Sequence, residues 1–210
     1  MLRTSNLPAA CLSAAATLLA AGCAHNGTLA TPHTAVVILS KHGIPQFAGQ
    51  QNRCPAGFGD GTVQKSWETG KKMFKGTCQG GLMVGDWTAY YQNGATEWTA
   101  TFQGGIITGT FRSYYANDKD RAKVPFKEGV PEGDFKAWHF NGEVSMKGQY
   151  LGGKRNGCWE SWHDNGQKAS KGTYSDDKQV ATWLYWTPDG TKRKDKLGGE
   201  ALHGECLITF

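Results

Sequence analysis

A bulky aromatic residue recurs every 24 positions along most of this 210-residue chain: Trp87, Phe111, Phe135, Trp159 and Trp183. Gly85, Gly109, Gly133 and Gly157 stand two positions before the first four, and Ala181 before the fifth. A second ring follows three positions after each: Tyr90, Tyr114, Trp138, Trp162 and Trp186. Repetition locked in phase over this length means that one small unit is copied along the chain and buries its apolar side against its neighbours. Composition identifies the kind of unit. Gly accounts for 29 of the 210 residues, which disfavours helices, because each interior Gly costs about 1 kcal/mol against Ala. The abundant Trp, Tyr and Phe suit short strands whose burial is supplied by flat rings.

The repeats lay out as units 61–84, 85–108, 109–132, 133–156, 157–180 and 181–204, with 205–210 as a closing strand. Each reads as a β-hairpin. The first strand is typified by Gly85-Asp86-Trp87-Thr88-Ala89-Tyr90-Tyr91, and the turn by Asn93-Gly94, Asn141-Gly142, Asn165-Gly166 and Asp189-Gly190. Those dipeptides supply the positive φ angles that a tight turn requires. The second strand ends on Phe102, Phe126, Tyr150 or Tyr174, and a Gly-rich turn leads to the next unit. The third unit has Asn117-Asp118 instead, so an irregular loop is expected over 117–121. The first unit is degenerate, with Val63 at the leading aromatic position. Alternation along a strand puts Tyr91 and Tyr115 on the face of the leading rings. It puts the Tyr90 row on the opposite face unless a bulge intervenes. Ala89, Ser113, Ala137 and Ser161 leave room for rings from neighbouring units. The expected fold is all-β: an elongated antiparallel meander of stacked hairpins, about twelve strands in a single twisted sheet.

The first 22 residues read as a targeting segment. Arg3 precedes an apolar run from Leu7 to Ala21, shorter than the roughly 20 apolar residues a membrane span needs and typical of a secretory signal. The run closes as Leu18-Leu19-Ala20-Ala21-Gly22-Cys23, which resembles a bacterial lipobox. That resemblance implies lipid modification at Cys23, and Ala24 after it implies the Gram-negative outer membrane. Residues 23–53 read as a tether with one possible strand, Val36-Val37-Ile38-Leu39. Beyond it, Cys54, Cys78, Cys158 and Cys206 are an even set in an exported chain, which points to two disulfides with three possible connectivities. Cys54 and Cys78 share one phase of the repeat, and Cys158 and Cys206 share another. This favours Cys54–Cys78 and Cys158–Cys206 as staples at the two ends of a repeat domain spanning 54–210. Same-phase positions in adjacent hairpins are two strand spacings apart, roughly 10 Å. Bonded Cα atoms must lie within about 7 Å, so local distortion is required.

The motif Gly-x-Trp-x-x-Tyr-x-x-Asn-Gly is carried by Gly85, Trp87, Tyr90, Asn93 and Gly94, and again by Gly157, Trp159, Trp162, Asn165 and Gly166. It resembles MORN-type repeats, most closely the bacterial YwqK-like subgroup that carries an antitoxin label. The resemblance covers about 61–204. It implies a stack of β-hairpins serving as a scaffold or protein-contact surface. An antitoxin acting on cytosolic toxins is disfavoured by the export signal.

No catalytic constellation is legible. His139 and His163 occupy the Tyr91 and Tyr115 phase of adjacent units, and no phased carboxylate accompanies them, so they read as ring replacements. No Ser lies in a Gly-x-Ser-x-Gly context, no phosphate-binding loop is present, and no Cys/His spacing suits zinc. Asp176-Asp177 falls at the Gly-Gly turn phase and reads as a turn. Net charge is +5 with the two signs interspersed, so no cofactor and no nucleic-acid partner are expected. Lys147 and Lys171 share a phase, as do Arg112 and Lys136, and read as solubilising charges. The row Tyr90, Tyr114, Trp138, Trp162 and Trp186 is the candidate binding surface. Its expected partner is another envelope protein or, alternatively, cell-wall glycan, with the membrane reached through the N-terminal lipid.

Overall fold

The computed structural model describes residues 50–193 and Cys206. The signal segment, Cys23, the possible strand at 36–39 and most of the closing segment 205–210 lie outside the described residues. The described elements are all strands in one antiparallel sheet. The first hairpins are built from β1 (Gly61–Ser66), β2 (Lys72–Gln79), β3 (Leu82–Tyr90) and β4 (Thr96–Gln103). They continue through β5 (Ile106–Tyr114), β6 (Asp120–Lys127), the two-residue β7 (Val130–Pro131) and β8 (Gly133–Trp138). The series ends with β9 (Val144–Leu151), β10 (Lys154–Trp162), β11 (Lys168–Ser175), β12 (Lys178–Trp186) and β13 (Lys192–Arg193). Neighbours in sequence are neighbours in the sheet throughout, with β7 pairing only β6. This is the expected hairpin meander.

One face carries the core. Trp87, Phe111, Phe135, Trp159 and Trp183 are all buried, Phe111 completely. Trp98 pairs with Ala89 on one side and Ser113 on the other, so the small residues do make room for a large ring. Rings then continue from unit to unit. Phe135 stacks on Trp159 at 5.4 Å between centroids, and Tyr174 meets Trp159 and Trp183 edge-on. Val63 takes the leading position of the first unit and is buried there.

A second periodic row explains how such rings fit in one layer. Gly76, Ala100, Val124, Gly148 and Gly172 recur at the same interval, one strand before each leading ring. A Cβ on Gly76, Gly148 or Gly172 would stand 2.1–2.2 Å from the indole of Trp87, Trp159 or Trp183. Where the ring is the smaller Phe111 or Phe135, the preceding position holds Ala100 or Val124. Ring size and neighbour size are matched at every repeat, because the interior packs to crystal density.

Three local expectations are corrected. First, except at Gly133 in β8, the Gly before the leading aromatic does not open the strand. The strand starts three residues earlier, at Leu82 in β3, and Gly85 lies inside it with φ 63° at a break in the β2–β3 register. That glycine is a bulge residue held in the left-handed region, which disfavours a Cβ. Ala181 is forced into the same conformation, φ 58°. Ala181→Gly is therefore expected to stabilise the protein by about 0.5–1 kcal/mol, read as a rise in Tm; an unchanged or lower Tm would contradict the strain.

Second, the 117–121 loop is regular. Tyr115 N–H donates to Lys119 O and Asp118 N–H to Tyr115 O, as Tyr91 N–H donates to Ala95 O and Gly94 N–H to Tyr91 O. Asp118 adopts φ 63° in place of glycine, which Asp tolerates better than most residues. Third, the two turn types divide the work differently from the sequence reading. In the Asn-Gly loops only the glycine is left-handed. The two-residue turns with both φ values positive are Gly80-Gly81, Gly104-Gly105, Glu128-Gly129, Gly152-Gly153 and Asp176-Asp177.

Both cysteine pairings stand as expected, with Cα separations of 6.0 Å for Cys54–Cys78 and 5.1 Å for Cys158–Cys206. The 10 Å objection does not apply at the N-terminal end, because Cys54 is not a hairpin residue. Its segment crosses the turn edge of the sheet. Asn52 N–H donates to Gly105 O at 2.7 Å, Met83 N–H to Asn52 O at 3.1 Å and Cys54 N–H to Gly81 O at 3.0 Å.

Candidate functional site

The second aromatic row lies on the face opposite the core. Tyr90, Tyr114, Trp138, Trp162 and Trp186 are the last residues of β3, β5, β8, β10 and β12. Each is one alternation step from a buried or half-buried residue such as Ala89 or Ser113, and each is itself half-buried. Lysines cover two of the rings. Lys136 Nζ stands 5.1 Å from the Trp138 centroid, and Lys147 and Lys168 stand 5.6 Å and 5.8 Å from that of Trp162. The rings are therefore an aromatic–cation surface rather than bare sugar-stacking platforms.

The backbone of the same row is fixed by a ladder of ring donors. Tyr91 Oη donates to Tyr114 O and Tyr115 Oη to Trp138 O, both at 2.8 Å. His139 Nε2 meets Trp162 O at 2.8 Å and His163 Nε2 meets Trp186 O at 3.0 Å. A carbonyl only accepts, so both imidazoles carry their proton on Nε2. Trp67 Nε1 donates to Tyr90 O at 3.2 Å in the first unit. Trp67 thus belongs to this ladder, a role that the reading of unit one as degenerate missed, although it lies one period before Tyr91. Tyr91 and Tyr115 are turn residues, not strand residues sharing the leading face, because β3 and β5 end one position earlier.

Asparagines run parallel to the rings. Asn93, Asn141 and Asn165 each donate from Nδ2 to a carbonyl 23 residues on, at Ala116, Asp164 and Pro188. Each also accepts from the backbone N–H two residues ahead, at Ala95, Glu143 and Gln167. The asparagine is selected for this double role, not for a left-handed backbone.

Three polar clusters interrupt the pattern. Glu97 and Arg121 occupy one phase of adjacent hairpins beside Tyr91 and Tyr115, and the guanidinium lies 5.7 Å over the Tyr115 ring. Burial pushes the Glu97 carboxyl up, and the Arg121 charge offsets part of that rise. On the outer face, Glu160 is buried and pairs with Lys168 at 2.7 Å and Lys171 at 3.5 Å. At the Asp176-Asp177 turn, slight burial would raise the Asp177 carboxyl. Hydrogen bonds and charge from Arg155 outweigh it and hold the carboxyl below the usual range. This carboxylate is engaged by Arg155 at 2.8 Å. Among the described residues no group of three His, Cys, Asp or Glu side chains converges as a metal site.

The outer face also holds an open trough of 610 Å³ toward the N-terminal end, lined chiefly by Thr62, Thr77, Thr88, Thr99 and Thr101 with Lys75 and Asp86. Thr101 Oγ1 donates to Asp86 at 2.6 Å.

Residues 155–176, the β10–β11 hairpin, match the family model for the MORN repeat variant. The chain thus contains a MORN-type repeat, and the neighbouring hairpins reproduce its register. Such a repeat is consistent with a protein-interaction module. A search among curated proteins finds no match to the chain.

Proposed function

We propose that this MORN-repeat chain is a non-catalytic binding module of the cell envelope, anchored through lipid on Cys23, that displays the outer face of its sheet to a protein partner. The supporting observation is the half-buried aromatic row opposite the core, with its backbone locked by the ring-donor ladder and two of its rings, Trp138 and Trp162, covered by lysines. A surface so ordered before binding loses little conformational freedom on contact, and Tyr and Trp dominate the energetic centres of interfaces. Two disulfides fit an oxidising compartment, in keeping with export. Within the MORN-type repeats we assign the chain to the YwqK-like subgroup, in a scaffolding rather than an antitoxin role.

Affinity capture from envelope extracts by the full-length chain is expected to retain a defined protein that is lost with Trp138→Ala/Trp162→Ala. A partner retained equally by that variant would move the interface elsewhere. Radiolabelled palmitate should enter the wild-type chain and not Cys23→Ala; equal labelling would remove the anchor.

A second reading, contact with a cell-wall glycan through the same face, is favoured by one observation. The hydroxyl-lined trough lies on the outer face, and its threonine hydroxyls offer donors and acceptors to sugar hydroxyls.

A further inference from the structure

Strand register assembles a basic row that is dispersed in the sequence. Arg112 on β5 is directly opposite Lys123 on β6, Lys123 is opposite Lys136 on β8, and Lys136 is opposite Lys147 on β9. These four strands are adjacent in the sheet, so four cations stand in one line at about 4.8 Å per strand. Like charges directly opposite one another destabilise a sheet, and Lys136 has one on each side. Arg112 and Lys123 are exposed, while Lys136 and Lys147 are half-buried, where repulsion is less screened. Glu160, next in line opposite Lys147, ends the run of cations and pairs with Lys168 and Lys171. Asp134, two residues before Lys136 on β8 and so on the same face, is the nearest acid on that strand's outer face. In the other direction the row continues through Thr99, Thr88 and Lys75, all of which line the trough.

We propose that this row and the trough beside it form one binding site for a linear acidic polysaccharide, a chain with a carboxylate on each sugar. The inference rests on the glycan reading above and gives it a ligand class. A cation on each of four neighbouring strands lets a polymer lying across the strands meet a positive charge wherever a sugar turns its carboxylate toward the sheet. An extended acidic peptide fits poorly, because side chains on one side of it recur at about 6.7 Å. The threonine hydroxyls and Asp86 supply donors and acceptors for sugar hydroxyls, which a simple phosphate or lipid-headgroup site does not need. Trp138 and Trp162 flank the row, and the ammonium groups of Lys136 and Lys147 lie over their rings.

The test uses the full-length oxidised protein and polygalacturonate as probe, with binding measured by calorimetry. Fully methyl-esterified polygalacturonate has the same backbone without the charge. The acidic polymer should bind with an affinity that falls as salt rises, and the ester at least tenfold more weakly. Lys123→Gln/Lys147→Gln should lose at least tenfold, and Thr88→Val/Thr99→Val several-fold. Lys65→Gln/Lys72→Gln, which changes cations away from the row, should bind as wild type. Thermal melts verify folding, and Lys136→Gln should melt no lower than wild type, because it relieves repulsion. Equal affinity for the ester, or full affinity in Lys123→Gln/Lys147→Gln, overturns the proposal. So does tighter Lys123- and Lys147-dependent binding of single-stranded poly-dT or phosphatidylglycerol vesicles. Should it fail while capture of a protein partner still depends on Trp138 and Trp162, the protein-contact reading stands alone.

Discussion

Gly148→Val is expected to destabilise the protein by about 3 kcal/mol or more, and Trp159→Phe in the same chain is expected to restore much of the loss. A Cβ at position 148 meets the Trp159 indole at 2.1 Å. The ring cannot retreat, because it is buried, stacked on Phe135 and edge-on to Tyr150 and Tyr174. Its indole N–H also donates to Asn156 O. The third hairpin shows the alternative solution, with Val124 one strand before Phe135 and both side chains buried. The double variant copies that pair. Trp159→Phe alone removes ring volume over a glycine and should cost about 1–3 kcal/mol through the cavity it leaves. The measurement is a double-mutant cycle by urea denaturation, followed on β-sheet circular dichroism so that loss of an indole does not confound the signal. A coupling energy near zero would mean that size matching between the two rows does not govern the packing.

Removing the Cys54–Cys78 disulfide with Cys54→Ala/Cys78→Ala is expected to cost about 3 kcal/mol, and the damage should stay local. The bond closes a 24-residue loop and ties down the segment through which Asn52 engages Met83 and Gly105. Phe58, in the same loop, packs edge-on against Phe74. In a quasi-one-dimensional array each hairpin feels mainly its neighbours. Hydrogen exchange should therefore show lost protection at the amides of Asn52 and Met83, which bond across that segment, with those of β9 and β10 unchanged. The Cys158–Cys206 bond closes a longer loop, 48 residues, and its removal should produce the opposite pattern, exposing β10 and β11 first. Equal loss at both ends in either variant would mean that the sheet unfolds as one cooperative block.

The reasons for what could be read in advance are specific. Trp87 and its equivalents announced the fold because a period of 24 can arise only from copying one unit. Within that unit, Asn-Gly and Gly-Gly leave few choices of turn. The cysteine pairing followed from phase alone. The Tyr90 row was legible as a row but not as a face, since that depended on where the bulge falls. The register breaks after Ala89, with Glu97 as the extra residue on β4, so the alternation along β3 survives. Ring replacement by His139 and His163 was read correctly from phase, although the carbonyl that each meets could be known only from the neighbouring hairpin. The matching of Gly148 to Trp159 and of Val124 to Phe135 was present in the sequence as a second period. It is not legible there as a packing rule, because a glycine in a strand carries no side chain to mark the ring that lies over it.

The sequence by itself determined the unit, its repetition, the ring-bearing face and the two staples, because each of these follows from spacing along one chain. The tertiary structure decided how separate strands stand against one another. Arg112, Lys123, Lys136 and Lys147 are 11 to 13 residues apart and unremarkable in the sequence. Antiparallel register brings them into one line, because adjacent strands lie about 4.8 Å apart whatever the length of chain between them.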